Sequence, residues 1–438
     1  MRVSAGYLKP ILAIVLFSNL FLGIIPSLVI FGLIVLIFLI SNNRFENIFL
    51  FGYSAGTFGL YLNIIGLPYV GGIVLIICLL YILINLSNEI RIRNLLLPCL
   101  SIFVFFIITL LYSPAGTAGV DKLLLFAQNF IINGILFVFL FLRSASIARI
   151  NIALGLIIFV LFVLNYSIDI LNIPEPQHFF DFGFFRAGQD LSIRGDINAI
   201  LINHQSLGLL LNIALALIIT QINFGKTNRI IFILLILILM FYIGARQSFI
   251  GFIFLLGLYY LKRENLSFVK IPLAVFYMVL SIALIAFGWY YAEAEFYLDL
   301  FLDAENIFHA TGREYLLLEG VNLFNENVLF GAGLGGFHFD GKFGHYPHNM
   351  VIEILAELGV VGFSLILYFF VFYKKRNKME NLKSNGLSLL YYALILALLS
   401  RALFSGSIAH NAELFSLAII PLALQNKFWH RPNEKNTN

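Results

Sequence analysis

Charge is scarce in this sequence. Only 11% of its 438 residues are Asp, Glu, Lys or Arg, against about a quarter in soluble chains. That excludes a globular domain surrounded by water, since there are too few charges to cover its surface. Cysteine is nearly missing as well: Cys78 and Cys99 both fall inside apolar runs, which leaves no disulfide framework, cysteine zinc site or CxxC motif. No HExxH stretch occurs, and no long Ser/Pro-rich or low-complexity tract fills the longer polar loops. No small-residue cleavage site follows the first apolar run, and further runs do, so it is no cleavable signal.

What fills the sequence instead is apolar: 61% hydrophobic residues at a mean hydropathy of +0.95. Runs long enough to cross a hydrocarbon core of ~30 Å recur from Ile11 to Leu424, so lipid organises the fold. The pattern predicts helices at 10–24, 27–41, 47–65, 69–86, 95–113, 122–142, 147–165, 197–221, 228–243, 247–261, 271–290, 348–373, 386–403 and 409–425. The expected fold class is an all-α integral membrane protein with about fourteen transmembrane helices. Residues 1–438 are taken as a single polytopic domain.

Charge bias orients it. With the N-terminus in the cytoplasm, 20 of the 27 basic residues fall on the inner side, the other seven being Lys122, Arg186, Arg194, Arg246, Arg313, Lys342 and Arg401. This is the positive-inside pattern, and it requires the first run to divide at Ile25-Pro26-Ser27. Merging those two helices would invert everything after Arg44. Both termini are then cytoplasmic. The seven exceptions gather on the outer face, where neighbouring Asp190, Asp196, Glu314 and Glu319 offer salt bridges for some of them.

Two outer segments are long enough for chemistry, 166–196 and 291–347, and loops of such length without linker composition are usually functional. Within the second, TGREYLLLEGVNLFNENVLF has the apolar spacing of a helix lying on the membrane surface or packed on its neighbours. It is followed by GAGLGG, residues 331–336. That run satisfies GxGxxG, but no strand precedes it and it faces away from the nucleotide pool. The preferred reading is a tight turn bringing backbone close to a polar ligand or the bilayer surface. His338, Asp340, His345 and His348 supply metal-type ligands, yet no carboxylate pair at ligand spacing accompanies them.

His348 is the sharpest candidate. Pro347 can open a helix, which would set His348 and Asn349 in the first turn, at the positive end of the macrodipole. An imidazole kept neutral there can take up a proton, and the same helix end attracts phosphate. A polar cap at the interface is the alternative. Glu353 and Glu357 follow at i, i+4 on one face, with Asn349 a turn above; carboxylates inside a span normally face protein. They are expected to orient a base or to pair with an outer arginine. His410, Asn411 and Glu413 form a similar polar set near Arg401, explicable equally by bonding between helices. Arg194, Arg246 and Arg313 keep their charge near lipid and grip phosphate oxygens in pairs, which points to a diphosphate.

The sequence PHNMVIEILAELGVVG, preceded by GREYLLLEGVNLFNENVLFGAGLGGF and by the short arginine turn GARQSFIGF, resembles the O-antigen ligase and O-antigen polymerase superfamily of bacterial inner membranes. The likeness covers roughly residues 190–365. It implies a glycosyltransferase of the C-type membrane fold. The donor would be an undecaprenyl-diphosphate-linked glycan, and no metal or other cofactor would be needed. Carried over by position, His348 would be the base or orienting group for the acceptor hydroxyl, while Arg246 and Arg313 would hold the diphosphate. Arg194 is the looser match, since LSIRGDINAILINHQ departs in spacing. Glu353 is grouped with His348 as catalytic, and Asn349 and Arg401 with the binding arginines.

Implied partners are the lipid-linked donor, a glycan acceptor, the bilayer, a chain-length regulator and a flippase, with no nucleic acid. The active face would be periplasmic. Polymerase, the favoured activity, uses a second lipid-linked repeat unit as acceptor; ligase uses lipid A-core, and the motifs are shared. A polysaccharide flippase or exporter would instead show matching halves with polar residues at midplane.

Overall fold

The computed structural model describes residues 49, 53, 76, 78–80, 82, 92–143, 146–170, 204–221, 224–243, 245–263, 313–338, 346–376, 387–404 and 406–423. Among them the chain is helical, with no strand. The helices are α1 (Ile92–Leu110), α2 (Thr117–Arg143), α3 (Ser146–Ile170), α4 (His204–Ile219), α5 (Lys226–Ile243), α6 (Arg246–Arg263), α7 (Arg313–Glu326), α8 (Met350–Arg376), α9 (Leu387–Phe404) and α10 (Ala412–Ala423). All but α7 coincide with an expected span, and α7 is the helix expected within the second outer loop. Helix α3 continues through Ile170, so the loop expected from 166 begins with a further helical turn. The expected spans 10–24, 27–41 and 271–290 lie outside the described residues, as does most of 47–65 and 69–86. By length and composition, Thr117–Phe141, Lys226–Ile243 and Met350–Tyr368 are able to cross a membrane.

Two compact units divide the chain, each built from two segments: 1–82 with 143–274, and 83–142 with 275–438. In the first unit α4 packs against α3, α5 and α6. Apart from its ends it is apolar all round, as a helix enclosed by neighbours must be, and it is buried from Leu207 to Ile219. Its polar exception is Asn212, whose Nδ2 donates to the Ser248 carbonyl at 3.1 Å. Gly208 lets α6 come close, since a Cβ there would strike the Ser248 side chain. Arg229 closes one end of the unit, donating to Tyr259 Oη at 2.6 Å, to the Phe224 carbonyl at 3.0 Å and to the Gln221 carbonyl. These bonds take up carbonyls that a helix end and its turn leave without partners.

In the second unit α8 packs against α7, α9 and α10, and α10 also against α1. Phenylalanines fill the space: Phe126 meets Phe106 at 4.8 Å and Phe415 at 5.4 Å between ring centroids, both edge-on. Edge-to-face contact aligns ring edges with the electron-rich faces. Ser416 Oγ donates to the Phe130 carbonyl at 2.7 Å and so ties α10 to α2.

Helix α8 is broken. Gly359 has φ 65° and ψ −171°, outside the helical region. The four backbone groups around the break are taken by the preceding loop. Ala332 N–H donates to the Ala356 carbonyl (2.9 Å) and Gly333 N–H to that of Glu357 (2.8 Å). In return, Val360 N–H donates to the Val328 carbonyl (2.9 Å) and Val361 N–H to that of Leu329 (3.1 Å). A helix interrupted in lipid needs such partners, because no water replaces the lost bonds. This corrects the expectation for the glycine run. Its backbone closely approaches the broken helix: a Cβ on Gly331 would overlap the Glu357 backbone, and one on Gly359 the Leu329 carbonyl. The run is also stitched to the α1–α2 turn, where Ser113 Oγ donates to the Leu334 carbonyl at 2.8 Å and Tyr112 Oη to that of Phe330 at 2.7 Å.

Candidate functional site at the mouth of the broken helix

The mouth of α8 is built differently from the expected proline-opened turn. The helix starts at Met350. Asn349 caps it: its Oδ1 accepts from Val351 N–H at 2.9 Å and Ile352 N–H at 3.1 Å. Its Nδ2 donates to the Leu403 carbonyl on α9 at 3.0 Å. Asn349 thus occupies the cap position, where Asn is strongly preferred. Two first-turn N–H groups that could have cradled a phosphate are thereby taken. His348 stands one residue outside the helix.

Its backbone is unusual. His348 has φ 57°, and is the only non-glycine residue with positive φ among the described residues. Left-handed conformation in a non-glycine residue costs on the order of 1–3 kcal/mol and persists where surroundings over-determine it. Such outliers gather at functional sites. The Tyr346 ring lies 4.5 Å from the His348 ring on one hand and 5.6 Å from the His410 ring on the other. His410 sits in the α9–α10 turn, where Ser407 Oγ lies 2.8 Å from its Nδ1. His410 keeps part of its surface open to solvent, yet protein crowds the ring. The lost hydration, with Arg401 and then Lys122 adding positive charge, pushes its pKa down to about 4. It is therefore neutral at physiological pH.

Beneath the mouth lies a buried ion cluster. Lys122 on α2 donates to Glu353 Oε1, and to Glu357 Oε1 and Oε2 at 2.7 Å each. Lys122 is 7% exposed and both glutamates 0%, so water contributes little to their solvation. The second oxygen of Glu353 accepts from Ile408 N–H at 2.7 Å, in the turn that carries His410. These three contacts of the ammonium group are all with carboxylate oxygens, as the burial of a charge demands. Glu353 also places a carboxyl group in the first turn of α8, the end at which the helix dipole favours an anion.

Of the residues singled out in the sequence, the second unit brings His348, Asn349, Glu353 and Arg401 to one region. Arg401 on α9 faces Glu413 on α10, Nη1 to Oε1 at 3.5 Å. Arg313 is the first residue of α7, which packs on α8. Arg246 is the first residue of α6 and belongs to the first unit. The side chains of both lie outside the described residues, as do Arg194, Asp340 and His345 entirely. The expected partner of the two glutamates was an outer arginine; the structure supplies Lys122. That residue carried a signal in the sequence, as a lysine on the outer side against the charge bias and close to an apolar span. Two carboxylates inside a span need a cation.

The fold and the site thus define an α-helical membrane protein with a histidine at the mouth of a broken span, resting on buried ions. Residues 230–367 match the family model described as O-antigen ligase. The matched segment holds Arg246, Arg313, His348, Asn349 and Glu353, and it supports the resemblance to the O-antigen ligase and polymerase superfamily. Lys122, Arg194, Arg401 and His410 lie outside it. No curated protein matches the chain.

Proposed function

We propose that this protein is an O-antigen polymerase of the bacterial inner membrane. It transfers glycan from undecaprenyl diphosphate, at the periplasmic face, to a sugar hydroxyl of another lipid-linked repeat unit. The observation that carries this reading is the strained, partly exposed His348 at the mouth of a membrane helix, inside the segment that matches the O-antigen ligase family. His348 takes the proton of the acceptor hydroxyl as that oxygen bonds to the anomeric carbon of the donor. The bond from that carbon to the diphosphate oxygen breaks, and undecaprenyl diphosphate leaves with both electrons. Diphosphate needs fixed positive charge as it departs, the role that the family resemblance implies for Arg246 and Arg313, with Arg194 and Arg401 as further candidates. Asn349 acts here through the helix it caps. The reaction needs proton transfer and charge stabilisation, and these side chains provide both without a metal.

Ligase, with lipid A-core as acceptor, is the second reading, because the matched family carries that description. Gel profiles of surface polysaccharide decide between them, comparing a deletion strain with strains restored by the intact gene or by His348→Ala. Core plus a single repeat unit in the deletion strain means polymerase. Polymer held on the lipid carrier, with no glycan on the core, means ligase. A normal ladder in the strain carrying only His348→Ala overturns the proposed role of that histidine.

A further inference from the structure

We infer that Lys122 and Glu353 are positioning residues, holding the turn of residues 407–410 so that His410 braces Tyr346 against His348. The inference rests on the proposed role of His348 and adds what keeps that side chain in place. The path is continuous. Lys122 binds Glu353 Oε1, Glu353 Oε2 accepts Ile408 N–H, and Ser407 fixes the His410 ring. His410 N–H donates to Ser407 Oγ at 3.3 Å as well, which closes the turn on itself. The His410 ring meets Tyr346, and Tyr346 meets His348. Each link is a direct contact.

Two features show why a brace is needed there. His348 is left-handed, a conformation that neighbours must hold. On its C-terminal side the Asn349 cap does so. On its N-terminal side Tyr346 is within ring contact of two histidines, and the position of His410 depends on a short turn that Glu353 pins from below.

The two glutamates are chemically unequal in this arrangement. Both oxygens of Glu357 accept from one ammonium, so a glutamine there keeps an acceptor for Lys122. Glu353 accepts from two different donors, Lys122 Nζ and Ile408 N–H, one at each oxygen. A glutamine at 353 offers one carbonyl oxygen and one N–H₂ group, so whichever way it turns, one donor is lost. Each substitution removes one carboxylate beside Lys122. Only Glu353→Gln breaks the bridge between Lys122 and the turn.

The test uses the full-length protein in membrane vesicles, with lipid-linked oligosaccharide extracted from the deletion strain as substrate. Transfer rates, KM and thermal stability in detergent are measured for Glu353→Gln, Glu357→Gln, Ser407→Ala, His410→Ala and the double variant Glu353→Gln/His410→Ala. Displacing a reacting group by about an ångström costs up to ~100-fold. Glu353→Gln should lose ~10-fold or more in kcat with KM within about twofold. Glu357→Gln should stay within ~3-fold of the intact protein, and the double variant should be no slower than its slower parent.

Equal losses in the two glutamine variants, or losses that multiply in the double variant, would overturn the inference. If Glu353→Gln fails to accumulate in the membrane, Ser407→Ala replaces it in the cycle, because it loosens the same ring without touching the buried charges. His348→Ala is assayed alongside. Full activity there refutes the proposed function, whereas loss of activity there with a multiplicative cycle refutes the brace alone.

Discussion

In the proposed function His348 combines two roles at one residue, a side chain that accepts a proton and a backbone held in the left-handed region. Alanine removes the first and leaves the second: it is no better suited than histidine to that conformation. His348→Ala should therefore reduce transfer by at least ~100-fold, as expected for a lost general base, while the protein remains in the membrane at normal abundance. Vesicle assays with immunoblotting check both. His410 gives a pH prediction. Its pKa is pushed down to about 4, below the ordinary 6.5. Between those values the unfolded chain binds a proton that the folded one refuses. Its contribution to stability is therefore negative in acid and is relieved as pH rises through 6.5. Thermal unfolding in detergent should show a lower midpoint at pH 5 than at pH 7, and His410→Asn should shrink that difference.

At the scale of elements, the break in α8 and the glycine loop are one unit. Four backbone bonds join residues 328–333 to 356–361. Gly331 and Gly359 both have positive φ and both sit where a Cβ would meet backbone, which cannot retreat as a flexible side chain does. Alanine at either position should destabilise by ~2 kcal/mol or more, from strain added to overlap. Gly257 in α6 is the control. Nothing lies within 4 Å of a Cβ built there, and Gly257→Ala should be neutral or stabilising by up to ~1 kcal/mol. Detergent melting curves of the three variants give the comparison. A Gly359→Ala protein as stable as the Gly257→Ala one would show that α8 can run unbroken.

For the whole molecule, orientation is the open physical quantity. The positive-inside bias predicts the α4–α5 turn in the cytoplasm and α7 outside. Thr227 and Tyr315 are both exposed and serve as reporters. A membrane-impermeant maleimide on spheroplasts should label Tyr315→Cys and leave Thr227→Cys unlabelled until the cells are lysed; the reverse pattern would invert the topology. Transfer in vesicles should also survive EDTA. Loss of activity restored by Mg²⁺ or Zn²⁺ would require a metal in the mechanism.

The sequence by itself determined that the chain lies in lipid, where most of its described helices run, and which polar residues stand out. Each of those follows from the cost of leaving a charge or a backbone group in hydrocarbon, which acts locally along the chain. Glu353 and Glu357 were legible as protein-facing because their spacing puts them on one helix face. Only the tertiary structure decided which cation meets them, that Asn349 is a cap, and that the glycine run answers a broken helix. Lys122 and Glu353 are joined by packing across 231 residues of sequence. Likewise, Gly359 looks like any other glycine until the carbonyls freed beside it find their donors in another segment. Partners that distant are fixed by how whole helices stack, and no local pattern of residues encodes that.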